Sequence, residues 1–135
     1  MGVHMSGTYA GSLRVTLTHE SGASFNTSAP KDNNGDGLSF SPTDLVVASL
    51  SSCILTTMAM KADKDGYDFS GTHFTAEKIM SLEPRRVGEI RMLFHLPASL
   101  PEAQRPKYER IAELCPVHKS LHPDIRITSN FVYDA

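Results

Sequence analysis

The segments of this chain run in the order strand hairpin, uncharged helix, strand pair, helix, short helix and strand, which predicts an α+β fold with a largely antiparallel sheet. Two observations carry that expectation. Apolar and polar residues alternate with a period of two near both ends of the chain, as in a half-buried strand. Between Asp44 and Lys61 there is no charged residue at all, so a helix built from that stretch has no face made for water.

Thr8 to His19 places Leu13, Val15 and Leu17 on one face and Arg14, Thr16 and Thr18 on the other, the pattern of one strand. Ser21-Gly22 supplies a turn, and Ala23 to Ser28 returns as a short second strand. Pro30 to Gly37 is a polar loop, and it lacks the later glutamate that an EF-hand calcium loop requires. Residues 41 to 62 form the central helix, with Ser41 as cap, Pro42 in the first turn and Asp44 at capping-box spacing. Its apolar residues, among them Leu45, Val47, Leu50, Ile54 and Met58, point in several directions, so the helix is expected to be buried. Its length approaches that of a membrane span, but Ser49, Ser51, Ser52, Thr56 and Thr57 interrupt the apolar run and favour an interior helix.

Lys64-Asp65-Gly66 stops that helix, and Tyr67 to Met80 carries strand-like residues. Pro84-Arg85-Arg86 marks a turn before a strand from Val87 to Leu96, paired antiparallel with its predecessor. Glu102 to Leu114 reads as an amphipathic helix ended by Cys115-Pro116, which opens a short helix from Val117 to Leu121. Ile125 to Tyr133 is the last strand.

A chain of 135 residues is expected to form one domain, residues 5 to 135, with residues 1 to 4 set aside as a cloning leader before Met5. Such a domain is small for a helix buried on all sides, which points to a partner subunit. The formal charge of −2 gives no electrostatic footprint for nucleic acid or an anionic membrane, and neither is expected as a partner. Two cysteines 62 positions apart, with no secretion signal, point to a cytoplasmic setting with reduced or redox-active thiols. No dinucleotide glycine motif or P-loop is present, and no cofactor is expected.

The chemistry concentrates on those cysteines. Cys53 lies mid-helix, where the helix dipole gives a thiolate little help, so it needs a cation; Arg14 on the polar face of the first strand is the candidate. Cys115 precedes a helix N-terminus, whose free amide groups favour an anion. Brought within bonding distance, the two make a nucleophile and a resolving thiol. Equally, free cysteine is among the most buried residue types, and either can be inert core. Cys115, His118 and His122 have ligand-like spacing but need a fourth donor for zinc. Asp44 is either a functional acid or the capping-box residue.

Tyr9-x-Gly11-x-Leu13-Arg14, Ser41-Pro42-Thr43-Asp44-Leu45 ahead of Cys53, and Cys115-Pro116-Val117-x-x-Ser120-Leu121 together resemble the OsmC/Ohr superfamily of osmotically inducible and organic hydroperoxide resistance proteins. The resemblance runs over almost all of Met5 to Ala135. It implies an intertwined homodimer with the long helices inside, and active sites that reduce organic hydroperoxides with a pair of cysteines. Cys53 then corresponds to the peroxidatic cysteine and Cys115 to the resolving one, with an external dithiol as reductant. In the family an arginine stabilises the thiolate and a glutamate orients the arginine; Arg14 takes the first role. The peroxidase branch carries its glutamate directly after the proline, where this chain has Thr43, and Asp44 one step on is the candidate acid.

Three functions follow for test: a two-cysteine peroxidase, a small-molecule binding or stress protein with little peroxidase activity, and a metal site at Cys115, His118 and His122. The first is the expectation adopted.

Overall fold

The computed structural model describes residues 1–135 and divides into two compact units, residues 1–45 and 46–135. The α+β class is as the sequence predicts. In the first unit, β1 (Met5–Gly11), β2 (Arg14–His19) and β3 (Ser24–Asn26) form an antiparallel sheet in that order. In the second, β4 (His73–Leu82), β5 (Arg85–His95) and β6 (Arg126–Val132) form another sheet, with β5 in the middle.

The expected single strand from Thr8 to His19 is two strands. A tight hairpin folds back at Ser12 and Leu13, with φ of 55° and 59°. Both lie in the left-handed region, which a two-residue hairpin loop needs but which Asn and Gly adopt more readily than Ser or Leu. Alternation runs through the turn without a break, so nothing in the pattern marks it. The Leu13 amide donates to the Tyr9 hydroxyl at 3.2 Å, and Leu13, assigned to the buried face, is exposed at the turn.

The central helix, α1 (Pro42–Asp65), starts where its cap predicts. Ser41 Oγ accepts from the Asp44 amide at 3.1 Å, and the Asp44 carboxylate accepts from the Ser41 amide at 2.9 Å, the reciprocal pair of a capping box. Gly66, at φ 85°, ends it. Within the second unit, Val47, Leu50, Ser51, Ile54, Met58 and Ala62 make one buried stripe. That stripe joins Ile90, Met92 and Phe94 of β5 in a single core. Leu50, Ile54 and Met58 are fully enclosed, each contributing about 1.5–3 kcal/mol of apolar burial.

The opposite face of α1 is exposed in the single chain and carries Ser49, Ser52, Thr56 and Met60. Its hydroxyls donate to carbonyls of their own helix: Ser49 to Val46, Ser52 to Ala48 and Thr56 to Ser52. Covering this face would strand no charge and no hydroxyl donor. By length and mean hydropathy of 1.6, α1 also meets the dimensions of a membrane span.

Tyr67 to Thr72, expected in a strand, is irregular chain with a turn at Ser70 and Gly71; it delivers Tyr67 and Phe69 to the core and fixes the Ser70 amide on Asp68. The helix expected from Glu102 to Leu114 is α2 (Arg105–Ile111) flanked by single 3-10 turns, because Pro106 sits in its first turn and Pro116 follows it. After α3 (Pro116–Ser120), β6 runs parallel to β5, while the other three strand pairings are antiparallel. The crossover through α2 and α3 is long enough to return the chain in the same direction.

Asp65 ties the end of α1 to α2. Its carboxylate accepts from Tyr108 Oη at 2.6 Å and Lys107 Nζ at 2.8 Å, with Lys61 Nζ at 3.1 Å. Bonds from Lys107 and Tyr108 hold its carboxyl well below the usual carboxylate range. A depressed acid stabilises the fold above its unfolded pKa, about 4, and loses that contribution as pH falls toward the folded value. Asp65→Asn is therefore expected to lower stability at neutral pH and to flatten the decline of the urea midpoint between about pH 5 and 3. Ile54→Ala, which empties part of the enclosed stripe, is expected to cost about 2–5 kcal/mol in urea denaturation.

Candidate functional site

Cys53 and Cys115 lie side by side in the second unit. Cys53 sits one residue before the enclosed Ile54, on the flank of the α1 stripe, and is partly exposed. Cys115 is the N-cap of α3, in extended backbone at φ −67° and ψ 142°, and is completely buried. Pro116 occupies the first helical position and removes one amide that would otherwise need a partner. The next turn folds back so that the His118 amide donates to Cys115 Sγ at 3.2 Å.

Both thiols are free. Burial pushes the Cys115 thiol up, the His118 amide draws it partly back, and the adjacent Cys53 side chain pushes it up again. At neutral pH Cys115 is consequently a protonated thiol held against its neighbour. The two side chains differ in the way a nucleophile and a resolving thiol differ: one open to a reagent, the other enclosed beside it.

Arg14 and Asp44 belong to the first unit. Arg14 opens β2 and forms an ion pair with Asp36, both half-exposed. Bonds from the Leu38 amide and then from Arg14 hold the Asp36 carboxyl below its ordinary range. Asp44 closes the capping box. Asp36, the ion-pair partner of Arg14, is a contact that sequence reasoning missed. It lies in the Asp32–Gly37 loop, where every acid looks like turn chemistry and no periodicity signals which one meets an arginine.

The zinc alternative loses its geometry. α3 stops at Ser120, so His122 is off the helix and its Nδ1 accepts from the Asp124 amide at 3.0 Å. No group of three or more His, Cys, Asp or Glu side chains is arranged to hold a metal ion. Beside α3, a groove of about 560 Å³ is lined by Glu109, Arg110, Glu113, His118, Ile127 and Phe131, among others.

The family model described as OsmC-like protein matches residues 35–130. A solved structure from Psychrobacter arcticus, provisionally described as an osmotic stress induced and detoxification response protein, is 38% identical, with a TM-score of 0.90 over 95% of this chain and 94% of that one. An organic hydroperoxide resistance protein OsmC from Legionella pneumophila has a TM-score of 0.75 at 13% identity, covering 97% of this chain and 96% of its own. An organic hydroperoxide resistance protein from Elizabethkingia anophelis gives 0.76 at 16%, covering 99% and 97%. At those identities the last two establish a shared fold. No curated protein sequence matches the chain.

If Cys53 raises Cys115 as described, Cys53→Ala is expected to lower the pKa of Cys115. Thiolate absorbance near 240 nm, followed against pH in Cys53→Ala and in Cys53→Ser, checks this; a higher value in Cys53→Ala contradicts it.

Proposed function

Since the chain belongs to the OsmC-like protein family, we propose that it is a thiol-dependent peroxidase that reduces organic hydroperoxides, and hydrogen peroxide more weakly, through a two-cysteine cycle. The observation that carries this proposal is the pairing of partly exposed Cys53 with enclosed Cys115. The Cys53 thiolate attacks the terminal peroxide oxygen and the O–O bond breaks. The alkoxide takes a proton and leaves as alcohol, and Cys53 becomes sulfenic acid. Cys115 attacks that sulfur, its proton leaves with the hydroxyl as water, and a Cys53–Cys115 disulfide remains. An external dithiol in the cytoplasm restores both thiols.

Arg14 is assigned the positive charge that favours the Cys53 thiolate, and Asp44 the acid in place of the family's glutamate. The Arg14–Asp36 pair supports giving Asp36 a share in orienting the arginine. The working unit is a homodimer, supported by the uncharged face of α1, whose hydroxyls are already satisfied.

Titration of fully reduced protein with one equivalent of cumene hydroperoxide, followed by intact mass and thiol counting, tests the cycle. Expected are loss of both thiols and a decrease of about two daltons, as the sulfenic acid and disulfide chemistry requires. Cys53→Ser is expected to abolish the reaction, and Cys115→Ser to yield a trappable sulfenic acid. Survival of both thiols in excess peroxide overturns the proposal and turns attention to a bound ligand. Arg14→Met is expected to slow oxidation of Cys53 by about tenfold or more without preventing it.

A further inference from the structure

The face of the second sheet turned away from α1 carries two histidines side by side. His73 opens β4 and His95 ends β5, and the two are direct partners across the antiparallel ladder. Their neighbours Phe74 and Phe94 pack into the core, so alternation puts both imidazoles on the opposite face. The dimer proposed above uses α1, which lies on the core side, and the imidazoles take no part in the thiol cycle. Their rings stack with centroids 4.4 Å apart and an interplanar angle of 4°.

Both rings are held by the same nitrogen. His73 Nδ1 lies 3.0 Å from the Gly71 carbonyl oxygen, and His95 Nδ1 lies 2.8 Å from Asp134 Oδ1. A carbonyl and a carboxylate have no proton to give, so each Nδ1 is the donor. In a neutral imidazole with its proton on Nδ1, the lone pair is on Nε2. An acceptor on one nitrogen that fixes the tautomer and aims the other is how metal-binding histidines are held. Here that arrangement occurs on two adjacent side chains.

We infer that His73 and His95 form a binding site for one divalent ion of the zinc type, held by both Nε2 atoms and oriented by Asp134 and the Gly71 carbonyl. Opposed residues of an antiparallel pair have Cβ atoms about 4.5–5.5 Å apart, close enough for two imidazoles to share an ion at about 2.0–2.1 Å from each nitrogen. The stacked rings tilt out of parallel as both lone pairs turn to that ion. Imidazole suits zinc, copper and nickel, whereas calcium and magnesium prefer oxygen donors, which sets the class of metal. Because no three donors are gathered, water fills the remaining positions, and the ion is exchangeable rather than locked as at a closed structural site. Asp134 belongs to the C-terminal segment, which is tied to the end of β5 by the Leu96 amide on the Val132 carbonyl at 2.8 Å and the Ala135 amide on the Leu96 carbonyl at 3.0 Å. An ion on His95 therefore reinforces that closure, and binding to the folded state raises stability by mass action.

Cys53 and Cys115 are themselves zinc donors, so the test has to separate the two pairs. Zinc chloride is titrated into reduced wild-type protein labelled with 15N, and the imidazole nitrogens are followed by NMR. Calorimetry is run on protein carrying Cys53→Ser and Cys115→Ser. Without zinc, both rings are expected as the Nδ1–H tautomer. With zinc, the Nε2 signals of His73 and His95 are expected to shift together while those of the other four histidines stay in place. Calorimetry is expected to give one ion per chain with a Kd between about 1 μM and 1 mM. His73→Asn and His95→Asn in that background are each expected to weaken binding at least about tenfold, and Asp134→Asn by about 10–100-fold. Shifts confined to other histidines, an affinity unchanged in both histidine variants, or no saturable binding up to about 1 mM zinc overturns the inference. The NMR reading uses the intact histidine pair, so it decides the matter even where a variant fails to fold.

Discussion

Enclosure of one stripe of α1 by the second sheet is the constraint from which the site follows. Leu50, Ile54 and Met58 have no exposed surface, so the helix cannot rotate about its axis without driving apolar surface into water. Cys53 is adjacent to Ile54 in that helix, and its place on the flank of the stripe is therefore fixed. Cys115 belongs to the same core and is held by the α3 turn and the His118 amide. Two residues far apart in sequence are thereby neighbours with different exposure, which is the property the proposed chemistry needs.

Much of this was legible in the chain itself. Ser41 and Asp44 mark the start of α1 because a capping box is a local device, written in four consecutive residues. The lack of charge between Asp44 and Lys61 signals an unusual helix, although the chain on its own covers only one stripe of it. The break at Ser12 and Leu13 was not legible, because those residues adopt a backbone region that their side chains do not advertise. The parallel pairing of β6 with β5 was hidden for another reason: alternation shows that a strand exists and is silent on its direction. Asp36 escaped because a salt bridge between a loop and a strand leaves no periodic trace.

In the proposed cycle, exposure assigns the two cysteines their different parts. The partly exposed Cys53 suits encounter with a reagent, and the buried Cys115 suits reaction with a neighbour only. Burial disfavours the Cys115 thiolate, the form that peroxide oxidises. Likeness to organic hydroperoxide resistance proteins at 13% and 16% identity establishes the shared fold; the proposed chemistry is argued from this chain's own thiol pair.

Steady-state consumption of cumene hydroperoxide, with dithiothreitol or glutathione as reductant, tests the two-cysteine cycle most directly because it requires oxidation and reduction to occur in turn. Multiple turnovers with dithiothreitol, much slower turnover with glutathione, and none in Cys53→Ser would support it. Equal turnover in wild type and Cys53→Ser, or none in wild-type protein shown to have both thiols reduced, would contradict it.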